Sequence, residues 1–269
     1  MGTNLRVQTA TIVGLESRLK TRTALPSIRD NEPNDQAILG VYFQTLSKAL
    51  GPMHWWPAKT PFEVIVGAIL TQNTAWSNVE RAIENLRRER LLTPLAIERV
   101  PIRRLATLIR SSGYFRQKAK KLKKFVAFLD REFHGSLTRM FRMPTPALRE
   151  KLLAVHGIGP ETADSILLYA GDHPIFVVDA YTHRILGRHG LVSGKPDYER
   201  VRALFEASLP RDAAIYNEFH ALLVNVGKNW CRTRDPRCHQ CPLATHLPSE
   251  ILAQLLPDAR VLPRAERHA

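Results

Sequence analysis

Cysteine is scarce in this chain of 269 residues: there are three, and all lie between positions 231 and 241. An odd, clustered set argues against a disulfide framework and for ligation of a metal or cluster. Long apolar runs are lacking too. None approaches the ~18 residues of a membrane-spanning helix. Residues 1–20 show neither a continuous apolar stretch nor a cleavage site, which predicts no export and a cytoplasmic protein. The opening "MGTNLR" offers no Ser or Thr where N-myristoylation needs one. Acidic side chains are in deficit, 25 against 39 Lys and Arg, for a formal net charge of +14 and a pI near 10.1. That balance favours a polyanionic partner, nucleic acid foremost, although ribosome-associated and lipid-surface proteins share it. Strand signals are almost absent. Only "PIFVV" (174–178) resembles one, and without a partner it reads as an extended connector. No repeat of solenoid period is present.

What is present is helical periodicity. "QAILGVYFQTLSKAL" sets Ile38, Leu39, Tyr42, Leu46 and Leu50 three and four apart. "PFEVIVGAIL" (61–70) is too apolar for a surface helix and predicts a buried one. "SNVERAIENLRRER" (77–90) turns Val79, Ile83 and Leu86 inward. Further helices are predicted near 101–112, 115–133, 146–155, 160–171, 180–190, 197–208 and 212–229. Prolines at 52, 57, 61, 94, 101, 144, 174 and 196 fall at the joints, where they are tolerated. The pattern is that of an all-α chain behind a loose tail at 1–34.

The densest signal is "VHGIGPETADSILLYA" (155–170). Gly157 and Gly159 flank one apolar residue, so the chain can turn sharply between two helices. Pro160 suits a first helical position. The amides of Ile158, Gly159 and Glu161, with Thr162, would stand at a helix start, where the dipole suits a phosphate oxygen. A plain helix connector is the alternative reading. Apolar positions at 152, 153 and 155 before the turn, and at 163, 166, 167 and 170 after it, complete a helix-hairpin-helix pattern, which grips a DNA backbone without reading sequence. Asp179 follows, ending "IFVVD" ahead of a helix. Aspartate is a preferred N-cap and needs no chemistry to be there. Held by helix-start amides it also stays ionised, and could support an oxocarbenium-like sugar or activate water.

Together, "LLAVHGIGPETADSILLYA" and "VVDAYTHR" resemble the helix-hairpin-helix–Gly/Pro–Asp DNA glycosylase superfamily, in its endonuclease III branch. "HWWPAKTPFEVIVGAILTQNTAW" and "RSSGYFRQKAKKLKKF" are similar to the group containing the bacterial type III 3-methyladenine DNA glycosylases. The likeness runs from about Asp35 to Leu247. It implies two helical subdomains with an active-site cleft between them. One is built from 35–60 and 172–230; the other, 61–171, is a helical barrel ending in the hairpin. A cysteine loop (231–247) and a C-terminal tail (248–269) follow. The resemblance makes Asp179 the catalytic aspartate and places the amides at Gly157 and Gly159 on DNA phosphate. Where endonuclease III carries a Schiff-base lysine, this chain has Glu161, which cannot form an imine. The implied activity is a monofunctional base-excision repair glycosylase acting on double-stranded DNA with a damaged, alkylated base. It would work as a nucleoid-associated monomer. A displaced lysine, Lys59 or Lys118, is the remaining route to a lyase.

Other residues join this reading. By the resemblance, Gln72 fills the gap left by a flipped base, with Asn73 beside it; both could instead only cap a helix. Trp55, Trp56 and Trp76 could wall a pocket for an electron-poor base or form a corner of the core. Lys118 and Lys121, in the basic run 118–124, could border the DNA or simply face solvent. Cys231, Cys238 and Cys241 match three of the four ligand positions of the family's iron–sulfur loop, the fourth falling at Leu247. His246 is the nearest substitute donor. A 4Fe-4S cluster, zinc, or no metal all remain open. Two rival functions stand beside the glycosylase. One is an endonuclease III-like glycosylase/lyase for oxidised pyrimidines, and the other a non-catalytic DNA-binding protein built on the hairpin.

Overall fold

A computed structural model describes residues 33–251 apart from 54, 57, 195 and 196. The expected tails lie outside the described residues, save for Pro33 and Asn34, which open the first helix, and residues 248–251. The described chain is 68% helix without strands, as an all-α reading requires. Twelve α-helices are described: α1 (Pro33–Leu50), α2 (Pro61–Leu70), α3 (Trp76–Arg88), α4 (Pro94–Arg99), α5 (Ile102–Leu108), α6 (Phe115–Phe133), α7 (Leu137–Phe141), α8 (Thr145–Leu153), α9 (Pro160–Ser165), α10 (Ala180–Arg188), α11 (Tyr198–Ser208) and α12 (Ala213–Asn229).

Helix α2 shows how the chain enforces its own core. Thr60 caps it, accepting from the Glu63 amide at 3.2 Å, Pro61 sets its first turn, and every residue from Phe62 to Leu70 is buried. Helices α3, α6 and α9 pack around it. Its last carbonyl is closed by an unexpected group. Lys118 of α6 donates from Nζ to Leu70 O (2.8 Å) and Ser112 O (2.7 Å) and is 2% exposed. Lys118 therefore does not face DNA and is not a free amine. It shares a stripe with Leu122, Phe125 and Leu129 at spacings of four, three and four, so the helical period carries it inward. Burial, then the like charge of Lys121, push its ammonium down to about 8.

Helix α1 lies with α11 and α12, and α10 with α12. Gly227 allows that last approach, since a Cβ there would lie 2.3 Å from Tyr181 Cδ1. The segment 172–179 between the hairpin and α10 has no regular secondary structure, and no strand is present among the described residues. Ile175, Phe176, Val177 and Val178 are each at most 3% exposed, and Phe176 stacks on Phe205 at 4.0 Å. Glu206 accepts from the Phe176 amide at 3.0 Å. This connector is what fixes Asp179.

Candidate active site

Helix α8 runs into the turn at 156–159 and the chain leaves along α9, which continues as a single π turn over Ile166–Ala170. Gly157 sits at φ +94°, and a Cβ on it would stand 2.7 Å from Lys121 Cγ. Only glycine serves there. Gly159 is different: its φ is −95° and a Cβ would meet nothing within 4 Å, so the fold does not require glycine at that position. Ile158 is 4% exposed, an anchor of the turn and no part of its outer surface.

The turn borders a cleft of about 770 Å3. The structure brings Trp55, Trp56, Trp76, Gln72, Asn73, Lys121, the segment from Gly157 to Thr162, and Asp179 to its walls. Trp56 is the centre of the aromatic wall, with ring centroids 5.1 Å from Trp76, 5.0 Å from Tyr169 and 5.9 Å from Trp55. Gln72 is tied to the hairpin. Its Nε2 donates to Gly157 O (3.1 Å) and Thr162 Oγ1 (2.9 Å), and its Oε1 accepts from Lys121 Nζ. Lys228 caps the far side, its Nζ 5.4 Å over the Trp55 ring.

Asp179 is the N-cap of α10, and its Oδ1 accepts from the Thr182 amide (2.8 Å) and hydroxyl (3.0 Å). Its Oδ2 stands 3.6 Å from His220 Nε2 on α12. His220 Nδ1 in turn meets the Tyr169 hydroxyl. The tautomer in which Tyr169 donates to Nδ1 leaves an N–H at Nε2 facing the carboxylate. Burial pushes the Asp179 carboxyl up, but His220 and the two Thr182 donors outweigh it and hold it below the usual carboxylate range. The N-cap and the chemical readings of Asp179 are thus satisfied together. Tyr169 and His220 were not singled out from the sequence. A histidine on the apolar helix α12 and a tyrosine among "SILLYA" look like ordinary core residues until the fold joins them.

Glu161 behaves differently from Asp179. It lies on the first turn of α9, exposed to solvent where it lines the cleft. Burial first, then the like charge of Asp179, push its carboxyl up to about 7 against a smaller pull from His220.

The cysteines form no part of this cleft. Cys231, Cys238 and Cys241 border a separate cavity of about 10 Å3 between α10 and α12, with Leu247 beside them. Burial raises the Cys241 thiol to about 11, and Arg188 donates to Cys231 Sγ at 3.2 Å. His246, the expected substitute ligand, turns away and pairs with Thr45 Oγ1 at 3.3 Å, because its short 3-10 turn aims it at α1. Among the described residues no group of three or more His, Cys, Asp or Glu gathers as a metal site. Three thiols and a leucine do not supply the four donors of such a cluster.

Comparison with known proteins agrees with the geometry. The family model for HhH-GPD superfamily base excision DNA repair proteins matches residues 66–211. Over 203 residues the chain is 46% identical to a candidate DNA repair glycosylase of Methanocaldococcus jannaschii, spanning 75% of this chain and 91% of that one. It is 30% identical over 186 residues to endonuclease III of Thermotoga maritima, spanning 69% and 82%. The crystal structure of the H. pylori 3-methyladenine DNA glycosylase MagIII, bound to 1,N6-ethenoadenine, is similar with a TM-score of 0.62 at 31% identity, covering 72% of this chain and 97% of that one. An ionised aspartate behind a glycine hairpin, facing an aromatic cleft, is therefore found in a chain that belongs to the HhH-GPD superfamily of base excision DNA repair proteins, as a DNA N-glycosylase related to endonuclease III.

Proposed function

We propose that the protein is a monofunctional glycosylase. It hydrolyses the N-glycosidic bond of an alkylated base flipped out of duplex DNA, and leaves the strand intact. The observation that carries this is the pairing of an ionised Asp179 with a carboxyl, not an amine, at residue 161. Asp179 would face the sugar and stabilise positive charge at C1′ as the bond lengthens, His220 and Thr182 keeping the carboxylate in place. Water then supplies the nucleophile. Lys118, one of the two displaced lysines considered from the sequence, is held beneath α2 by the carbonyls of Leu70 and Ser112 and does not line the cleft.

The aromatic wall of Trp56, Trp76 and Tyr169 offers stacking faces to a flipped base, and an electron-poor alkylated base benefits most. Gln72, held at the cleft mouth by the hairpin, is placed to enter the vacated stack once DNA displaces its present partners. The amides near Gly157 and Gly159, together with Lys121, would hold the phosphates flanking the lesion. These roles call for a nucleoid protein that works as a monomer. Among the described residues no helix is long and apolar enough to cross a membrane.

The test is to incubate the purified protein with alkylated, oxidised and uracil-containing duplexes and to identify the free base. Release of an alkylated base is expected. Release of oxidised pyrimidines alone would reassign the protein to the endonuclease III activity, and release of no base would leave only a DNA-binding function.

A further inference from the structure

We infer that Glu161 is the general acid of the reaction, delivering a proton to a ring nitrogen of the departing base while Asp179 remains ionised toward the sugar. This rests on the glycosylase reading above and extends it to a class of substrate: bases that are neutral in DNA.

The two carboxyls share one cleft but have opposite surroundings. Asp179 accepts from the Thr182 amide and hydroxyl through Oδ1, and its Oδ2 has the His220 ring 3.6 Å away. The Glu161 carboxyl takes no hydrogen bond or ion pair among the described residues. The cations that could neutralise it are engaged, Lys121 by Gln72 and Lys228 by the Trp55 face. The remaining titratable groups lining the cleft are His220 on α12 and the phenols of Tyr169, Tyr181 and Tyr198. Tyr169 and Tyr198 are both driven upward by burial, so they stay protonated and offer Glu161 no positive charge. A carboxyl without a partner, sharing a cleft with a fixed carboxylate, is favoured in its acid form, the direction in which the cleft and the charge of Asp179 push it. Two carboxyls whose environments drive them apart divide into acid and anion.

The balance is direct. The C1′–N bond breaks with its electron pair going to the base nitrogen, which takes the Glu161 proton. Water adds hydroxide to C1′, and the proton that it loses restores the Glu161 carboxyl. A cationic N-alkylpurine already leaves as a neutral molecule and gains little from the acid. A neutral adduct would otherwise leave as an anion, and gains much.

The discriminating experiment measures single-turnover excision by the full chain on two duplexes, one carrying 3-methyladenine and one carrying 1,N6-ethenoadenine, for wild type, Glu161→Gln and Asp179→Asn. Glu161→Gln is expected to lower the rate on ethenoadenine about a hundredfold more than the rate on 3-methyladenine, the scale of general acid catalysis. The wild-type rate on ethenoadenine should fall as pH rises through about 7, and that limb should vanish in Glu161→Gln. Glu161→Asp should restore part of the selectivity, which a merely structural role would not predict. Equal losses on both bases, no loss on either, or no wild-type excision of the neutral base would each overturn the inference. Asp179→Asn separates the two claims. If it abolishes 3-methyladenine release while Glu161→Gln leaves base preference unaltered, the glycosylase stands and the acid falls. If wild type releases neither base, both fall.

Discussion

Asp179 and Glu161 have the same functional group and lie in the same cleft, yet their neighbours give them different chemistry. One accepts from an amide and a hydroxyl and has an imidazole 3.6 Å away; the other shares its cleft without a partner of its own. Asp179→Asn keeps the cap to Thr182 and removes the charge. It should lower excision by about a thousandfold or more, since transition-state electrostatics are the largest single contribution at such sites. Binding of lesion duplex, followed by fluorescence anisotropy, should remain within a few-fold of wild type. Retained turnover would take Asp179 out of the mechanism. At this scale the sequence was informative for residues inside motifs and silent for the others. Asp179 and Gly157 were legible because a turn or cap restricts the residue type. His220 was not, because nothing local distinguishes a histidine that supports a carboxylate 41 positions away in the chain from a buried core histidine.

Helices were legible where they were long enough to repeat a period. The amphipathic α3 and the hairpin helices were readable in this way and the buried α2 from its unbroken apolar run, whereas α4 and α7, of six and five residues, are too short for one apolar stripe to show. Their signals were the caps instead: Thr93 accepts from Ala96 N and Ser136 from Arg139 N. The long basic helix α6 misled for a different reason. Charge suggested an outward face for Lys118, while its place on the Leu122–Phe125–Leu129 stripe carried it inward. Lys118→Met preserves the buried stem but leaves the carbonyls of Leu70 and Ser112 without their donor. We expect a loss of about 2–4 kcal/mol in urea unfolding, the range for two stranded buried acceptors. A change below about 0.5 kcal/mol, the size of a surface substitution, would show that the carbonyls find other partners.

Across the whole molecule, a charged network fastens the hairpin to the helices that carry the rest of the cleft. Arg149 of α8 grips Asp164 of α9 with two bonds (2.7 and 3.1 Å) and reaches Glu199 of α11 at 2.6 Å. Tyr198 donates to the same Asp164 at 2.8 Å, and Arg202 joins Glu199 to Glu206, the acceptor of the Phe176 amide. Asp164 is fully buried, so removing its cation strands a charge. Arg149→Met should destabilise the fold by about 3–5 kcal/mol, the cost of breaking a buried pair from one side. Because the network also sets the connector to Asp179, residual folded protein should excise more slowly at unchanged Glu161-dependent pH response. A variant as stable as wild type would show that the network does not hold these helices together.

The most direct test of the account is borohydride treatment during reaction with a lesion-containing duplex, with strand integrity followed on a denaturing gel. Base release by water predicts free base, an unbroken abasic strand that parts only in alkali, and no covalent protein–DNA species. A trapped adduct that accumulates with turnover would reveal an amine nucleophile and contradict the hydrolytic role assigned to the Asp179 cleft.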